Sequence, residues 1–384
     1  MAKLLIKNIG KVISGDIKNP IIDADSVLVE DGKISQTGKG LDVKAEKVID
    51  ANGITLTPGL IDSHAHPVFG DFTPRQNQMG FIESELHGGV TTIISAGEVH
   101  LSGRPRDVAG TKALAILAAK SFANLRPGGV KVLGGGLILE KGLQEKDFEE
   151  LAREGVKHVG EIGLGSANQP EDTAPMVKWA KKHGMTVMMH TGGTSIPGST
   201  TITAADVMAT DPDVSAHLNG GPTAIYPEEV EKIIKETSIA FEIVECGNPK
   251  IAVQIVKTAR EANAFDRILI GNDAPSGTGV IPLGILRVLN LICSLGGVKA
   301  EEAIAMATGN TARVYKLNRG MIKEGLEADL VLMDAPMGSI GEDALKAIEA
   351  GDIPGISMVL VDGVVLITRS RNTPPPKRRA IVGA

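Results

Sequence analysis

The stretch VKHVGEIGLG, residues 156–165, has the composition of a buried β-strand but carries one acidic residue, Glu161, near its centre. An ionised carboxylate without a partner in a protein interior costs several kcal/mol or changes its pKa. The amphipathic segment EDTAPMVKWAKKHG follows, and a second apolar strand, MTVMMHTG, comes after it. This order predicts a parallel strand–helix–strand unit in which some positive partner compensates Glu161.

The same alternation extends in both directions from this unit, from Pro58 to about Leu317. Eight near-continuous apolar strands with helical connections are typical of a closed parallel (β/α)8 barrel. An open doubly wound sheet is the alternative, but its glycine-rich dinucleotide turn is missing after the first strand. The predicted strands are LIDSHAH (60–66), VTTIISAG (90–97), VKVLGGGLIL (130–139), VKHVGEIGL (156–164), MTVMMHTG (185–192), VSAHLNGG (214–221), IAFEIVECG (239–247) and RILIGNDA (267–274).

The two ends of the chain share a different pattern, in which short β segments alternate with tight turns. LLIKNIGKVI, SVLVEDGKI and KVIDANGITLT near the start resemble ADLVLMDAP and SMVLVDGVVLITR near the end. We therefore expect residues 1–57 and 318–384 to form one small composite β-sandwich domain, into which the barrel domain of residues 58–317 is inserted.

Charge and cysteine content exclude several classes of protein. The net charge of the 384-residue chain is −6, so no basic field indicates nucleic-acid or membrane binding. Two cysteines provide neither a disulfide framework nor a CxxC zinc site. No apolar run approaches the length of a membrane span, and we expect a soluble cytoplasmic protein. The basic tail PPPKRR is interpreted as a solvated tail or a subunit contact.

Six potential metal ligands lie at or near the carboxyl ends of five predicted strands, where the active site of such a barrel is found. Imidazole and carboxylate groups bind zinc, iron and similar divalent ions. Strand alternation points both histidines of His64-Ala65-His66 to one side. Six ligands that share one carboxylate suit two metals roughly 3.5–4 Å apart. The six are His64, His66, Glu161, His190, His217 and Asp273, with Glu161 as the bridge and the compensated acid.

Each residue alone has an ordinary structural explanation. A single histidine on a strand is usually a hydrogen-bonded core residue, Glu161 could form an internal ion pair, and Asp273 could cap a helix. Their joint occurrence at strand ends favours the binuclear site. Of the remaining residues, His100 follows the second strand and could line the pocket, whereas Cys246 is interpreted as pocket wall rather than nucleophile. His87, His158 and His183 are interpreted as structural or surface residues.

The ligand pattern resembles that of the amidohydrolase superfamily, as do the segments TPGLIDSHAH and GLEADLVLMD. The resemblance implies a metal-dependent hydrolase acting on carbon–nitrogen bonds, with a barrel flanked by a β-sandwich. Many members use a carboxylated lysine as the bridge, whereas this chain has Glu161 at that position.

Further segments resemble one branch of the superfamily over nearly the whole chain. They are GRPRDVAGTKALAI, HTGGTSIPGS, HLNGGPTAI, ECGNPKIA, GNDAPSGTG and SRNTPPPKR, whereas PVFGDFTPRQ differs from the pattern of that branch. The branch hydrolyses the lactam 6-oxo-1,4,5,6-tetrahydronicotinate to 2-formylglutarate and ammonia in nicotinate degradation. The resemblance also implies a zinc and iron pair and a homotetramer.

Under this hypothesis Asp273 moves the proton from the attacking hydroxide to the leaving nitrogen. The substrate carboxylate needs N–H donors or a cation. The candidate contacts are Thr191, Gly193, Thr194 and Ser195 in the turn after strand five, together with Arg75, Arg104 and His100. The alternatives are another cyclic amidohydrolase or deaminase acting on a dihydropyrimidine, hydantoin or purine, or a non-catalytic barrel that serves as a scaffold.

Overall fold

The computed structural model describes residues 3–67, 80–101, 103–194, 199–220, 225–275 and 283–383. Arg75 and Ser195, two of the predicted substrate contacts, lie outside the described residues. Among the helices of the described part, none is long and apolar enough to cross a membrane.

Eight parallel strands form the barrel, in two arcs. Three strands pair in the order β10-β9-β8 and five in the order β11-β12-β13-β14-β15. Parallel bridges between Ala65 and Ala274 and between Leu137 and Val159 join the two arcs at both seams. The predicted (β/α)8 barrel is therefore confirmed. The barrel strands are β8 (Leu60–Ala65), β9 (Val90–Ser95), β10 (Lys131–Leu133), β11 (His158–Ile162), β12 (Thr186–Met189), β13 (Val214–Ser215), β14 (Ala240–Val244) and β15 (Ile268–Gly271).

The observed strands are shorter than the predicted segments because their carboxyl ends turn into loops. The third strand ends at Leu133, and Gly135 has a φ of 80°. A Cβ on Gly134 would lie 2.5 Å from Phe122 Cδ2, and one on Gly135 would lie 2.5 Å from the Ala115 carbonyl oxygen. Gly134 and Gly135 therefore allow close packing against the helix that precedes the strand, and Gly136 allows close packing against Gly97 and His158.

Helices connect the strands on the outside of the barrel. Helix α1 includes residues 80–86. Side-chain caps begin several of the others: Asp107 Oδ1 accepts from Gly110 N at 2.9 Å, and Asn248 Oδ1 accepts from Lys250 N at 2.9 Å. The others are α2 (Val108–Asn124), α3 (Glu145–Arg153), α4 (Pro170–Lys182), α5 (Ala204–Thr210), α6 (Pro227–Glu236), α7 (Pro249–Glu261), α8 (Gly284–Ser294), α9 (Ala300–Ala305), α10 (Thr311–Val314) and α11 (Ala344–Glu349), with a π-helical turn at Met306–Asn310.

Two further sheets combine strands from both ends of the chain. One has the order β19-β6-β1-β4-β5, and the other has the order β18-β17-β16-β7-β2-β3. A separate hydrophobic core that includes Ile6, Ile49, Leu56, Leu330 and Leu360 packs between them. The strands are β1 (Lys3–Lys7), β2 (Lys11–Ile13), β3 (Ile21–Ile22), β4 (Ser26–Glu30), β5 (Lys33–Gly38), β6 (Lys47–Asp50), β7 (Thr55–Pro58), β16 (Leu330–Asp334), β17 (Gly355–Val361), β18 (Val364–Ile367) and β19 (Ile381–Gly383).

Candidate metal centre

The six predicted ligands converge at one end of the barrel, and all six are buried. Barrel closure brings the first and last strands together: Asp273 N donates to the His64 carbonyl at 2.8 Å, and His66 N donates to the Ala274 carbonyl at 3.0 Å. On the opposite side, His190 N donates to the Ile162 carbonyl at 2.9 Å. Backbone hydrogen bonds between neighbouring strand ends therefore determine the spacing of the ligands.

Glu161 lies between two groups of histidines, and each carboxylate oxygen faces one of them. Its Oε1 is 2.6 Å from His217 Nε2 and 2.9 Å from His190 Nδ1. Its Oε2 is 3.9 Å from both His64 Nε2 and His66 Nε2. This is the position that a carboxylate shared by two cations would take.

Asp273 completes the group on the side of the first strand. Its Oδ1 is 3.0 Å from His66 Nε2 and 3.6 Å from His64 Nε2, and the two histidine nitrogens are 3.3 Å apart. Ligand atoms of His64, His66 and Asp273 all lie within 4.8 Å of one another, as do those of His64, Glu161 and His217. Each set is close enough to contact a single ion.

The histidines and carboxylates of the centre stabilise each other's charges. Burial raises the pKa of Glu161, but the charge of His217 and hydrogen bonds from His190 and His217 outweigh it and hold that pKa well below its usual value. Burial lowers the pKa of His64, yet the Glu242 carboxylate raises it to about 10. Burial raises the pKa of Asp273, but the hydrogen bond with His66 and the charges of His64 and His217 together outweigh burial and lower that pKa. Negative carboxylates are thus stable here when positive charge lies beside them.

Sequence reasoning missed Glu242, a fully buried acid on β14. Its Oε2 is 2.9 Å from His64 Nδ1 and 3.3 Å from the backbone N of His217. A carboxylate that accepts from Nδ1–H holds the proton on that nitrogen. Nε2, on the side of Glu161 and Asp273, is therefore the nitrogen that would bind a metal ion after losing its proton. The available signal was the same as for Glu161, namely one acid within an apolar strand, AFEIV.

Some of the predicted substrate contacts lie beside the metal centre, and others do not. His100 lies at the centre, with its ring 4.7 Å from that of His66. Burial lowers the pKa of His100 to about 4, so the ring is neutral at pH 7. Gly193 contacts His190 through its carbonyl oxygen, 3.2 Å from Nε2. Thr194 is exposed, and its Oγ1 lies 3.2 Å from Oγ1 of Thr201.

Two predicted contacts have structural partners instead. The Arg104 guanidinium donates to Glu140 Oε1 at 2.8 Å and to the Leu164 carbonyl at 3.0 Å. The buried Thr191 hydroxyl contacts Ser215 Oγ at 2.7 Å. These partners favour a structural role for both residues.

The residues interpreted as structural agree with that interpretation. His158 Nε2 is 2.6 Å from the Ser95 carbonyl, and burial lowers its pKa to about 4. His87 Nδ1 accepts from Arg371 N at 3.2 Å, on the outside of the barrel. Cys246 is half-buried, with Sγ 3.2 Å from the Asp273 carbonyl, and it forms part of the wall beside the centre.

Comparison with known proteins identifies the family. The sequence pattern of the amidohydrolase family matches residues 55–366, which is most of the chain. The chain belongs to the amidohydrolase family. Members of the amidohydrolase family typically bind divalent metals, and the two groups of His, Glu and Asp described above could hold them.

Individual known proteins are similar over most or all of the chain. The chain is 59% identical over 383 residues to the enamidase of Eubacterium barkeri, with 99% of each chain covered. A crystal structure of enamidase superposes with a TM-score of 0.96 at 58% identity, covering 99% of this chain and 100% of that chain. An imidazolonepropionase of Geobacillus sp. (strain WCH70) is 24% identical, over 82% of this chain and 85% of that protein.

Proposed function

We propose that this protein is a metal-dependent hydrolase that opens the lactam ring of 6-oxo-1,4,5,6-tetrahydronicotinate and yields 2-formylglutarate and ammonia in nicotinate degradation. Family membership and 59% identity to an enamidase support hydrolysis of a carbon–nitrogen bond in a cyclic amide. The observation that carries the proposal is Glu161, whose two oxygens face separate groups of histidines.

The side chains of the centre fit a pair of divalent ions. Glu161 and Asp273 are buried carboxylates whose positive partners are histidines, and a cation would take over that role as the histidine protons leave. We assign His64, His66 and Asp273 to one ion and His190 and His217 to the other, with Glu161 shared. We propose zinc and iron as the pair, on the resemblance to the enamidase branch.

Two divalent cations held by these residues would supply Lewis acids that activate a water molecule and polarise the lactam carbonyl. Asp273 would accept a proton from the attacking water at a carboxylate oxygen and deliver it to the ring nitrogen as the carbon–nitrogen bond breaks. Its lowered pKa keeps it ionised and ready to accept. The open product is an enamine, which tautomerises to an imine, and water converts the imine to an aldehyde and ammonia.

We propose that neutral His100, together with the turn that contains Gly193 and Thr194, orients the substrate. His100 lies against His66, and the turn contacts His190, so both border the centre. Thr191, Ser195, Arg75 and Arg104 stay sequence predictions for the substrate carboxylate, and the ion pair of Arg104 with Glu140 makes it the weakest of them.

We also propose a domain organisation and an oligomeric state for the chain. Residues 1–57 and 318–384 would form one composite β-sandwich domain beside the barrel domain of 58–317, which the two mixed sheets and their common core support. A homotetramer acting in the cytoplasm is proposed on the resemblance to the enamidase branch.

One experiment tests the proposal. Protein purified without oxygen is submitted to elemental analysis. Loss of substrate is then measured by chromatography with 6-oxo-1,4,5,6-tetrahydronicotinate, a dihydropyrimidine, a hydantoin and a purine, because ring opening of a dihydropyrimidine or a hydantoin releases no ammonia. We expect about two transition-metal ions per chain and loss of the first substrate only, accompanied by ammonia release. Loss only of one of the other compounds would replace the proposed substrate. Protein with neither metal nor hydrolysis would be a scaffold, and the proposal would be wrong.

A further inference from the structure

A second concave site lies far along the chain from the metal centre, under the C-terminal segment. Residues 368–379 pass over β17 and enclose a cavity of about 350 Å³. Ile356 and Ser357 of β17 form its floor, and Pro375 and Pro376 form part of its wall. Among the described residues, none that is proposed to hold metal or substrate lines it.

The cavity concentrates positive charge. Arg369, Arg371 and Arg379 line it, and no acidic residue does. Over the described ranges, no carboxylate lies within ion-pair distance of these three side chains. Their neighbour Arg378 differs, since its Nη2 donates to Asp334 Oδ1 at 2.8 Å and its Nε donates to Asp334 Oδ2 at 3.0 Å. All three arginines are exposed, and they place three positive charges in one concavity of a chain whose net charge is −6.

Hydrogen bonds hold the backbone that carries the arginines. The buried Ser370 hydroxyl donates to the His87 carbonyl at 2.8 Å and accepts from the backbone N of Asn372 at 3.1 Å and of Thr373 at 3.0 Å. Thr373 Oγ1 accepts from Ile356 N at 3.1 Å, which ties the segment to β17. Because the backbone is anchored, less order has to be gained when a ligand binds.

We propose that this cavity, the arginine pocket, binds a small, multiply charged oxyanion, either inorganic phosphate or a short dicarboxylate. The planar guanidinium group presents paired N–H donors that match the oxygens of phosphate and carboxylate. The volume suits a small molecule rather than a segment of another protein. The arginine pocket does not depend on the proposed reaction, and its occupant need not be a substrate.

Isothermal titration calorimetry of the metal-loaded enzyme at low ionic strength tests the arginine pocket, with phosphate and glutarate titrated separately to distinguish the two sources of anion. The test variant is Arg369→Gln/Arg371→Gln. The matched control is Arg153→Gln, an exposed arginine on α3 that lies outside the cavity. Loss of two charge-assisted contacts should weaken binding of at least one anion by about tenfold or more, whereas the control should bind as wild type does. Unchanged ammonia release by the double variant shows that it is folded.

Two results would overturn the proposal. Equal binding by wild type and the double variant would show that the anion occupies another place, such as the metal centre. Absence of binding to wild type, together with a changed molecular mass of the double variant in light scattering, would assign the arginines to a contact between subunits. Arg379→Gln provides a second variant if the double variant does not fold, and the same reduction in affinity is expected of it.

Discussion

Glu161 illustrates how much one residue can imply when its surroundings are considered. A buried acid in an apolar strand needs a positive partner, and the structure provides histidines on two sides at 2.6–3.9 Å. The need for a partner was predictable from the sequence. Which residues meet Glu161 at each oxygen depends on the positions of three other strands.

Replacement of Glu161 by alanine should remove at least one metal ion per chain, because the shared carboxylate contacts both groups of histidines. Elemental analysis after dialysis against metal-free buffer measures the loss. Retention of two ions by Glu161→Ala would contradict the bridging assignment.

Replacement of Asp273 by asparagine keeps an oxygen beside His66 but removes the base. We expect most of the metal to be retained and turnover to fall by about 10²–10⁴-fold, since a positioned acid–base group contributes that much. The turnover number is measured under saturating substrate, with metal content as the control. Near-normal turnover would exclude the proton-transfer role.

Replacement of Glu242 tests the role of this residue, which sequence reasoning missed. Glu242→Gln retains the size of the side chain but removes the charge that faces His64 Nδ1. Metal affinity should fall about 10–100-fold, as for other partners of metal-bound histidines. Competition with a chromogenic chelator measures the affinity, and Glu245→Gln, a half-buried acid just after the same strand, is the control. Equal affinities for the two variants would exclude the positioning role.

At the scale of elements, the short sixth strand β13 depends on one amide. Asn219 Nδ2 donates to the Val244 carbonyl at 2.8 Å, and its Oδ1 accepts from Val244 N at 2.9 Å. These bonds join the end of β13 to the end of β14, next to His217 and Glu242. His217 itself has a φ of 31°, a conformation that is uncommon for a residue other than glycine. The two hydrogen bonds of Asn219 therefore help to hold His217, a proposed metal ligand, in a strained conformation.

Asn219→Ala leaves the backbone N–H of Val244 without its partner in the interior, and it leaves the Val244 carbonyl with only the longer bond from Gly247 N at 3.3 Å. We expect unfolding free energy to fall by about 2 kcal/mol and metal content to fall with it. Urea denaturation and elemental analysis measure both. Asn124→Ala, at an exposed helical amide that donates to the Lys120 carbonyl, should change neither. Full metal content in Asn219→Ala would show that β13 holds His217 in place without the hydrogen bonds of Asn219.

At the scale of the whole molecule, one lysine joins the barrel to the flanking sheets. Lys131 Nζ, on β10, lies 2.6 Å from Glu327 Oε2, 2.9 Å from Asp329 Oδ2 and 2.6 Å from Asp362 Oδ1. Its side chain is only 11% exposed, and that of Asp329 is 1% exposed. Three acids close together are stable here because a cation lies between them.

Lys131→Met should lower the unfolding free energy by about 3 kcal/mol, because the acids lose their shared cation. Urea denaturation at pH 7 measures the change. Lys235→Met, which removes an exposed ion pair with Glu231 on α6, is the control and should cost less than about 1 kcal/mol. Equal effects of the two substitutions would mean that the Lys131 network does not join the two parts.

The pH dependence of this network follows from Asp362. Burial raises its pKa, but hydrogen bonds from Lys131 and Arg126 outweigh burial and lower it below 3.8. A carboxyl group whose pKa is lower in the folded state than in the unfolded state stabilises the fold. Its contribution is complete above the pKa of the unfolded state and is lost as the pH falls through the pKa of the folded state. The stability difference between wild type and Asp362→Asn should therefore be complete at pH 7 and shrink below about pH 4. Denaturation at both pH values checks this, and a constant difference would contradict it.

The sequence by itself determined the barrel, its eight strands and the six polar residues at their ends, because strand alternation and helical periodicity are local properties of the chain. It also indicated that Glu161 requires compensation, because burial follows from its apolar neighbours. Only the tertiary structure decided which partners meet: Glu242 against His64, Arg104 against Glu140, and three arginines around one cavity. Those contacts join residues far apart in the chain, and their distances depend on barrel closure and on the packing of the C-terminal segment, which no local pattern encodes.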